Sequence, residues 1–415
     1  MNVSLWISRR LRLGTSDGSN AGVAIAVAGV ALSLIIMEFT LAIVVGFKEG
    51  IRDKLMGFDA QITVLPPVSN QGDSRHDILE LTPQLSEIVT STLPDAETRL
   101  VMRQPGLLKT DDNFQGAIYL GQHPNADFSF EKSLVTTGEW PDFASDSCRN
   151  DIVISEQTAA KLNLHPGDKV YSTFFVSDAL KMRRHRIAAL YTSNFGEYDN
   201  TIIFASLAGL QSVAGIDSLG GNRLDIRGAQ LGDIELAAAE LQGALLQEAA
   251  NGTLDAYYPV TNIKKTGAVY FNWLSLLDTN VIIILLLMLC VAGLTLVSSL
   301  FIIILERIRT IGILRAMGAD KSTVRRIFVD ITMRLVGRGM IIGNVTGIGL
   351  LLVQKYTHVI PLNPEMYYLS SVPVQINVVW FILLNIGTAL FSWLILTGPA
   401  RLASNIDPAK AMNYD

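Results

Sequence analysis

The chain has 415 residues, of which 49% are hydrophobic and only 17% charged, with a formal net charge of -5 and a mean hydropathy of +0.35. Such a composition is too apolar for a soluble protein of this size, and it lacks the basic excess of a nucleic-acid binder. Cysteine is scarce: Cys148 and Cys290 are the whole complement, one in a polar region and one in an apolar run, so no disulfide is expected.

In chain order, residues 1–20 carry Arg9, Arg10 and Arg12, and a first apolar run covers 21–47. It exceeds the roughly 20 residues that cross a bilayer as a helix. It is also far longer than the apolar core of a signal peptide and has no small-residue cleavage pattern after it, so it is expected to be retained. Three further runs follow a long polar insertion: 277–305 within a span 271–305, then 328–353, then 376–398. The loop 306–327 is rich in Arg and Lys, whereas the insertion 48–270 has more acids than bases. Basic short loops stay in the cytoplasm. The expected topology therefore has cytoplasmic termini (1–20 and 399–415), a cytoplasmic loop 306–327, a short outer loop 354–375, and the 48–270 domain outside. The fold class is a membrane α-helical protein of four transmembrane helices, with a large α+β extracytoplasmic domain inserted between the first two.

Within 48–270 the patterning is mixed. Strand-like stretches are expected at 60–65, 97–108, 115–120, 169–176, 186–191 and 222–227. Helical spacing covers 78–93, with Thr82-Pro83 as its start and Pro94 as its stop. Residues 151–164 read as a strand running into a short helix, and 165–168 as a turn. An amphipathic helix is expected over 234–248. The arrangement predicts two subdomains, one inserted in the other.

Three features of the spans stand out. Gly339, Gly343 and Gly347 lie at four-residue steps, a stripe that lets another helix approach closely. Packing within the chain, against its own first or second span, is preferred over a dimer contact. Glu38 is a carboxylate deep in the first span, where it costs several kcal/mol unless protonated or paired. It either lines a proton or substrate route or bonds to Asn385, Asn344 or a partner subunit, and the structural role is preferred. Third, Glu306–Ile327 carries Ile308, Ile311, Leu314 and Met317 at helical spacing, with Gly318 as a stop and Ser322 as the next cap. Periodicity alone leaves it open whether this helix docks on a partner or lies on anionic lipid.

Enzyme motifs are missing. Five scattered histidines form no HExxH or Cys/His cluster, no GxSxG elbow occurs, and Gly318-Ala-Asp-Lys321-Ser322 lacks phosphate-loop spacing. No catalytic residue, no metal and no cofactor is expected in this chain.

The segment ILERIRTIGILRAMGADKSTV closely resembles FtsX-like/MacB-type permeases of ABC systems, whose pattern runs E(R/K)xxEIGxLRAxGAxxxxI. The C-terminal PARLASNIDPAKAM is similar to their PARRAxxIDPxxAL ending, and VAIAVAGVALSLIIMEFTLAIVVGFKEGI to their first helix and its exit. EYDNTIIFASLAGLQSV is similar to a segment of the lipoprotein-releasing (Lol) system permeases. The resemblance implies a MacB-like periplasmic core domain in an inner-membrane permease subunit that acts by mechanotransmission to release lipoproteins. It also implies a separate ABC ATPase holding ATP and Mg, a second permease copy or homologue, contact with membrane lipids, and a periplasmic lipoprotein carrier as a further candidate partner. A signalling permease controlling a cell-wall hydrolase and a MacB-like efflux permease are the alternatives. The ATPase-coupling positions carried over are Glu306, Arg307, Ile311, Gly312, Leu314, Arg315 and Gly318, and the pattern's second acid is replaced by Thr310. Carrier-recruiting relatives use a protruding loop. The corresponding stretch here, 174–186, is short, with Phe174, Phe175, Arg183 and Arg184 as candidate contacts; a carrier hook and a solvated hairpin tip remain equal readings.

Overall fold

The computed structural model describes residues 17–67, 78–111, 113–176, 179–216, 220–228 and 233–404. The arginines of the N-terminus and most of the C-terminal motif lie outside them. The chain forms two compact units: one of residues 1–49, 273–361 and 371–415, the other of 50–272 together with 362–370.

Helix α1 (Asp17–Phe58) does not stop at residue 47 as the apolar run suggests. The polar stretch beyond it keeps Ile51, Leu55 and Phe58 on one face, all at most 2% exposed, and this i, i+4, i+7 spacing prolongs the helix. Apolar length alone under-reads such a helix because its last turns are amphipathic.

The polar insertion follows in the order β1 (Ile62–Val64), β2 (Leu79–Glu80), α2 (Pro83–Thr92), β3 (Glu97–Lys109), β4 (Phe114–Gln122), α3 (Ser129–Ser133), β5 (Val135–Gly138) and β6 (Asp151–Ser155). Then come α4 (Glu156–Leu162), β7 (Lys169–Val176), β8 (Ala179–Tyr191), α5 (Gly196–Thr201), β9 (Ile202–Ser206) and α6 (Leu207–Ala214). The unit continues through β10 (Gly220–Gly221), β11 (Arg223–Arg227), α7 (Ile234–Ala250), β12 (Val260–Asn262) and α8 (Ile263–Thr266). Local chemistry sets several boundaries. The Thr82 hydroxyl accepts from the Leu85 amide and Ser155 from that of Thr158, so both cap helices as their sequence context demands. Asn163, in the left-handed region at φ 52, ends α4. The expected helix over 78–93 starts only at Pro83, because Leu79 and Glu80 pair with Gly221 and Gly220 as a small ribbon.

The other strands form one sheet in the order β12-β1-β11-β3-β4-β9-β6-β8-β5, with β7 bridging β3 and β8. Two apolar clusters lie on this continuous sheet, a large one around Leu85, Tyr119, Ile154 and Leu241 and a smaller one around Phe58, Tyr191 and Phe204.

The remaining helices are α9 (Ala268–Glu306), α10 (Ile308–Ala316), α11 (Lys321–Thr357), α12 (Pro364–Tyr367) and α13 (Val378–Ser404). Among the described residues four helices, α1, α9, α11 and α13, are long and apolar enough to cross a membrane. With the large α/β insertion between the first two, this is a multi-pass membrane protein of the expected class. Within the helical unit α1 lies against α9, where Gly22 faces Ile302 and Gly29 faces Thr295. Asn344 of α11 and Asn385 of α13 bond each other. The expected outer loop 354–375 is not a simple connector: α11 runs on to Thr357, and 362–370 clusters with the α/β unit.

Candidate functional site

The elbow between α9 and α11 is the first candidate. Arg307 separates α9 from the nine-residue α10. Ile311, 1% exposed, anchors α10 in the core of the helical unit with Val324, Phe328 and Leu300. Gly312 is also buried, while Leu314 and Arg315 are half-buried and Glu306 is exposed. Gly318 takes φ +93, a left-handed turn that an L side chain adopts only with strain. The cap of α11 is Asp320 rather than Ser322: its carboxylate accepts from the Lys321 amide and from the Ser322 hydroxyl. These two bonds, hydroxyl first, hold the Asp320 carboxyl below its usual range. Of the periodic set, Ile311 is buried, Ile308 and Leu314 are half-buried and Met317 is 79% exposed; Ile313, outside that set, is 47% exposed. α10 thus offers Ile313, Met317 and Arg309 outward from a fixed inner edge.

The glycine stripe of α11 lies on α1. A Cβ at Gly339 would stand 2.9 Å from the Val27 carbonyl oxygen, and one at Gly343 3.1 Å from that of Ala31. At Gly347 a Cβ would overlap the Glu38 carboxylate. Glu38 is fully buried, and neither of its oxygens has a hydrogen-bond partner among the described residues. The expected bonds from Glu38 to Asn344 or Asn385 do not form, since the two asparagines satisfy each other.

Where α1 enters the α/β unit, its end sits in a socket that sequence reasoning missed. The last carbonyls of a helix lack intrahelical partners. Here Arg227 donates to the Gly57 carbonyl at 3.2 Å and Arg103 to that of Phe58 at 3.1 Å. Asp59 then accepts from Arg103 and from the Tyr198 hydroxyl. Burial works to raise the Asp59 carboxyl, but Arg103, Tyr198 and Arg223 outweigh it and hold the group below its usual range. Arg103 on β3 and Arg223 and Arg227 on the neighbouring β11 are over a hundred positions apart in the chain, so no local sequence signal marks such a socket.

The segment 174–186 is a tight hairpin rather than a protruding loop: β7 and β8 pair from Lys169–Arg186 out to Val176–Ala179. Strand alternation sorts its side chains. Phe174, expected at the surface, is fully buried in the core, whereas Phe175 is 64% exposed. Arg183 and Arg184 are exposed. Arg184 shares one side of β8 with Leu180 and Met182, while Arg183 lies on the other; Leu180 and Met182 are 64% and 59% exposed, and Tyr171, paired with Arg184, 47%. With Phe175, these residues make an apolar sheet face that the sequence pattern did not mark. Lys181 is committed inward, donating to the Val213 carbonyl at 2.7 Å, and Arg186 pairs with Asp151. Among the described residues no group of three or more His, Cys, Asp or Glu is arranged to hold a metal ion.

Residues 282–408 match the family described as FtsX-like permease C-terminal. That stretch takes in most of α9, the elbow, α11 and α13. Similarity also extends along the whole chain to the transmembrane proteins of lipoprotein-releasing systems. LolC of Xylella fastidiosa strain 9a5c is 24% identical, over 98% of this chain and 97% of that protein. LolC of Neisseria meningitidis serogroup B is 22% identical over the full length of both. Among solved structures, the periplasmic region of MacB from Actinobacillus actinomycetemcomitans aligns with 52% of this chain and 96% of its own, at 12% identity and a TM-score of 0.34.

Proposed function

We propose that the chain is the permease subunit of an ABC machine of the inner membrane that releases lipoproteins, working by relay of force rather than through a pore. The observation that carries this reading is the end-to-end similarity to LolC proteins, in a chain that itself has four long apolar helices and a large insertion after the first. A separate ATPase, holding ATP and Mg, docks at α10, with a second permease copy or homologue completing the assembly. Ile311 and Gly312 fix the helix from within, and Ile313 and Met317 face the ATPase. Extraction of an acylated protein requires coupled work, because each buried methylene contributes about 0.8 kcal/mol to anchoring.

The termini and the elbow are placed in the cytoplasm and the α/β unit in the periplasm, on the strength of the basic loop 306–327. A periplasmic lipoprotein carrier docks on the β7–β8 face, where Phe175, Leu180 and Met182 supply apolar contact and Arg184 supplies charge, Arg183 lying on the reverse side of the strand. Phe174 supports this face from the core.

The test is affinity purification of the detergent-solubilised protein with mass spectrometry of what accompanies it. An ABC ATPase whose recovery is lost on Ile313→Asp supports the reading. A purified chain that hydrolyses ATP alone, or residues 50–272 labelled from the cytoplasmic side, overturns it.

A further inference from the structure

Residues 362–370 connect α11 to α13, yet they belong to the α/β unit, so the chain passes between the two units four times, at 49/50, 272/273, 361/362 and 370/371. This connector is an ordered strap. The Leu362 amide donates to the Ser370 carbonyl at 3.0 Å, and the Tyr367 and Tyr368 amides donate to the carbonyls of Asn363 and Pro364. Inside the α/β unit a single ammonium grips it. Lys54, on the last turns of α1, donates to the Tyr368 carbonyl at 2.7 Å and to the Ser193 carbonyl at 2.6 Å. One side chain therefore ties the strap to the segment that joins β8 to α5.

Three further contacts define the seat. The Tyr368 ring lies 4.7 Å from that of Phe195 and 6.0 Å from that of Tyr270. Leu369 rests on Gly50, where a Cβ would come within 3.2 Å. Tyr368 itself holds φ +60, a conformation that costs a bulky residue about 1 kcal/mol or more and persists only when its surroundings impose it. Carbonyls gripped by an ammonium, a ring tilted against its neighbours and a strained backbone together describe a fastening that can open, because few apolar groups secure it beyond the rings.

We propose that Lys54 is a positioning residue that latches the 362–370 strap to the α/β unit, giving displacement of α11 and α13 a route into that unit besides α1 and α9. The force route rests on the force-relay function proposed above; the latch itself does not.

Hydrogen exchange on the full-length protein in detergent reads the latch directly. Lys54→Met should raise exchange of the 366–368 amides about ten-fold or more, with β3 and β4 unchanged, and Lys54→Arg, which can still donate to both carbonyls, should stay near wild type. Unchanged exchange in Lys54→Met overturns the latch. A second arm uses a background of Cys148→Ser and Cys290→Ser. Adding Gly50→Cys and Leu369→Cys to Lys54→Met should restore protection on oxidation and lose it again with reductant; failure to restore it with the disulfide formed overturns the seat. In the assembled complex, Lys54→Met should cut substrate release about ten-fold while ATP turnover continues, and oxidation should recover it. Release at the wild-type rate from a strap shown to be open overturns the force route. A wild-type complex that neither turns over ATP nor releases lipoprotein contradicts the proposed function instead, and leaves the exchange result to judge the latch.

Discussion

Asn344 and Asn385 face each other across α11 and α13 and exchange side-chain hydrogen bonds of 2.8 and 3.0 Å. Each also donates to a carbonyl four residues back in its own helix. A reciprocal amide pair among apolar helices fixes register, since sliding either helix leaves two amides unsatisfied. Asn344→Leu and Asn385→Leu should each destabilise the detergent-solubilised protein by about 1 kcal/mol, and the double variant by less than their sum. Unfolding curves of the four proteins check this, and strict additivity would show that the two amides do not act as a pair.

Gly347 makes the room that Glu38 occupies. Gly347→Ala should therefore destabilise the helical unit by about 1–3 kcal/mol through overpacking. Shortening the opposing side chain with Glu38→Ala should recover most of that loss in the double variant. The same unfolding assay reads the compensation, which a glycine valued only for backbone freedom would not show.

How much of this was legible beforehand depends on the range of the signal. Gly339, Gly343 and Gly347 announced close packing because a helical repeat is local, and the four long helices announced themselves by apolar length. What faces the stripe was not written locally. Glu38 lies some 300 positions away along the chain, and its nearest contact is the absence of a side chain. The end of α1 was missed because its last turns trade an all-apolar surface for a single buried face through Ile51, Leu55 and Phe58. Phe174 and Phe175 look alike in composition, and only strand alternation, once the hairpin is paired, sends one inward and the other out. The socket of Arg103, Arg223 and Arg227 around Gly57–Asp59 joins three stretches of chain, and no spacing rule reaches that far.

His185 gives the α/β unit a pH signature. It is 4% exposed, and its Nδ1 lies 3.2 Å from the Asn150 carbonyl oxygen. Burial pushes its pKa down from 6.5 to about 4, against the raising effect of that carbonyl. A depressed base stays neutral in the fold while the unfolded chain takes up a proton. Stability is therefore full above about pH 6.5 and falls as the pH drops towards 4, by up to about 3 kcal/mol. Near-UV circular dichroism melts of the full-length protein between pH 7 and 4 should show the decline, and His185→Gln should flatten its part of it.

Ile311 and Ile313 are two residues apart and should behave oppositely. Ile311→Ala empties a buried site of the helical core and should cost about 2–5 kcal/mol. Ile313→Asp changes a side chain that is 47% exposed and should alter stability by less than about 0.5 kcal/mol, while abolishing recovery of the ATPase. Comparing unfolding midpoints with co-purification separates the anchoring edge of α10 from its outward one.

The strap has a practical corollary for anyone cutting the gene into pieces. A soluble fragment spanning 50–272 is contiguous in sequence but incomplete in substance, because nine residues encoded ninety positions downstream fill part of its surface. Expressed by itself it would bare the Phe195 and Tyr270 rings and leave the Lys54 ammonium short of one acceptor, inviting aggregation that says nothing about the intact molecule. Supplying 362–370 as a synthetic peptide, or splicing it on through a flexible tether, would give back the missing tile.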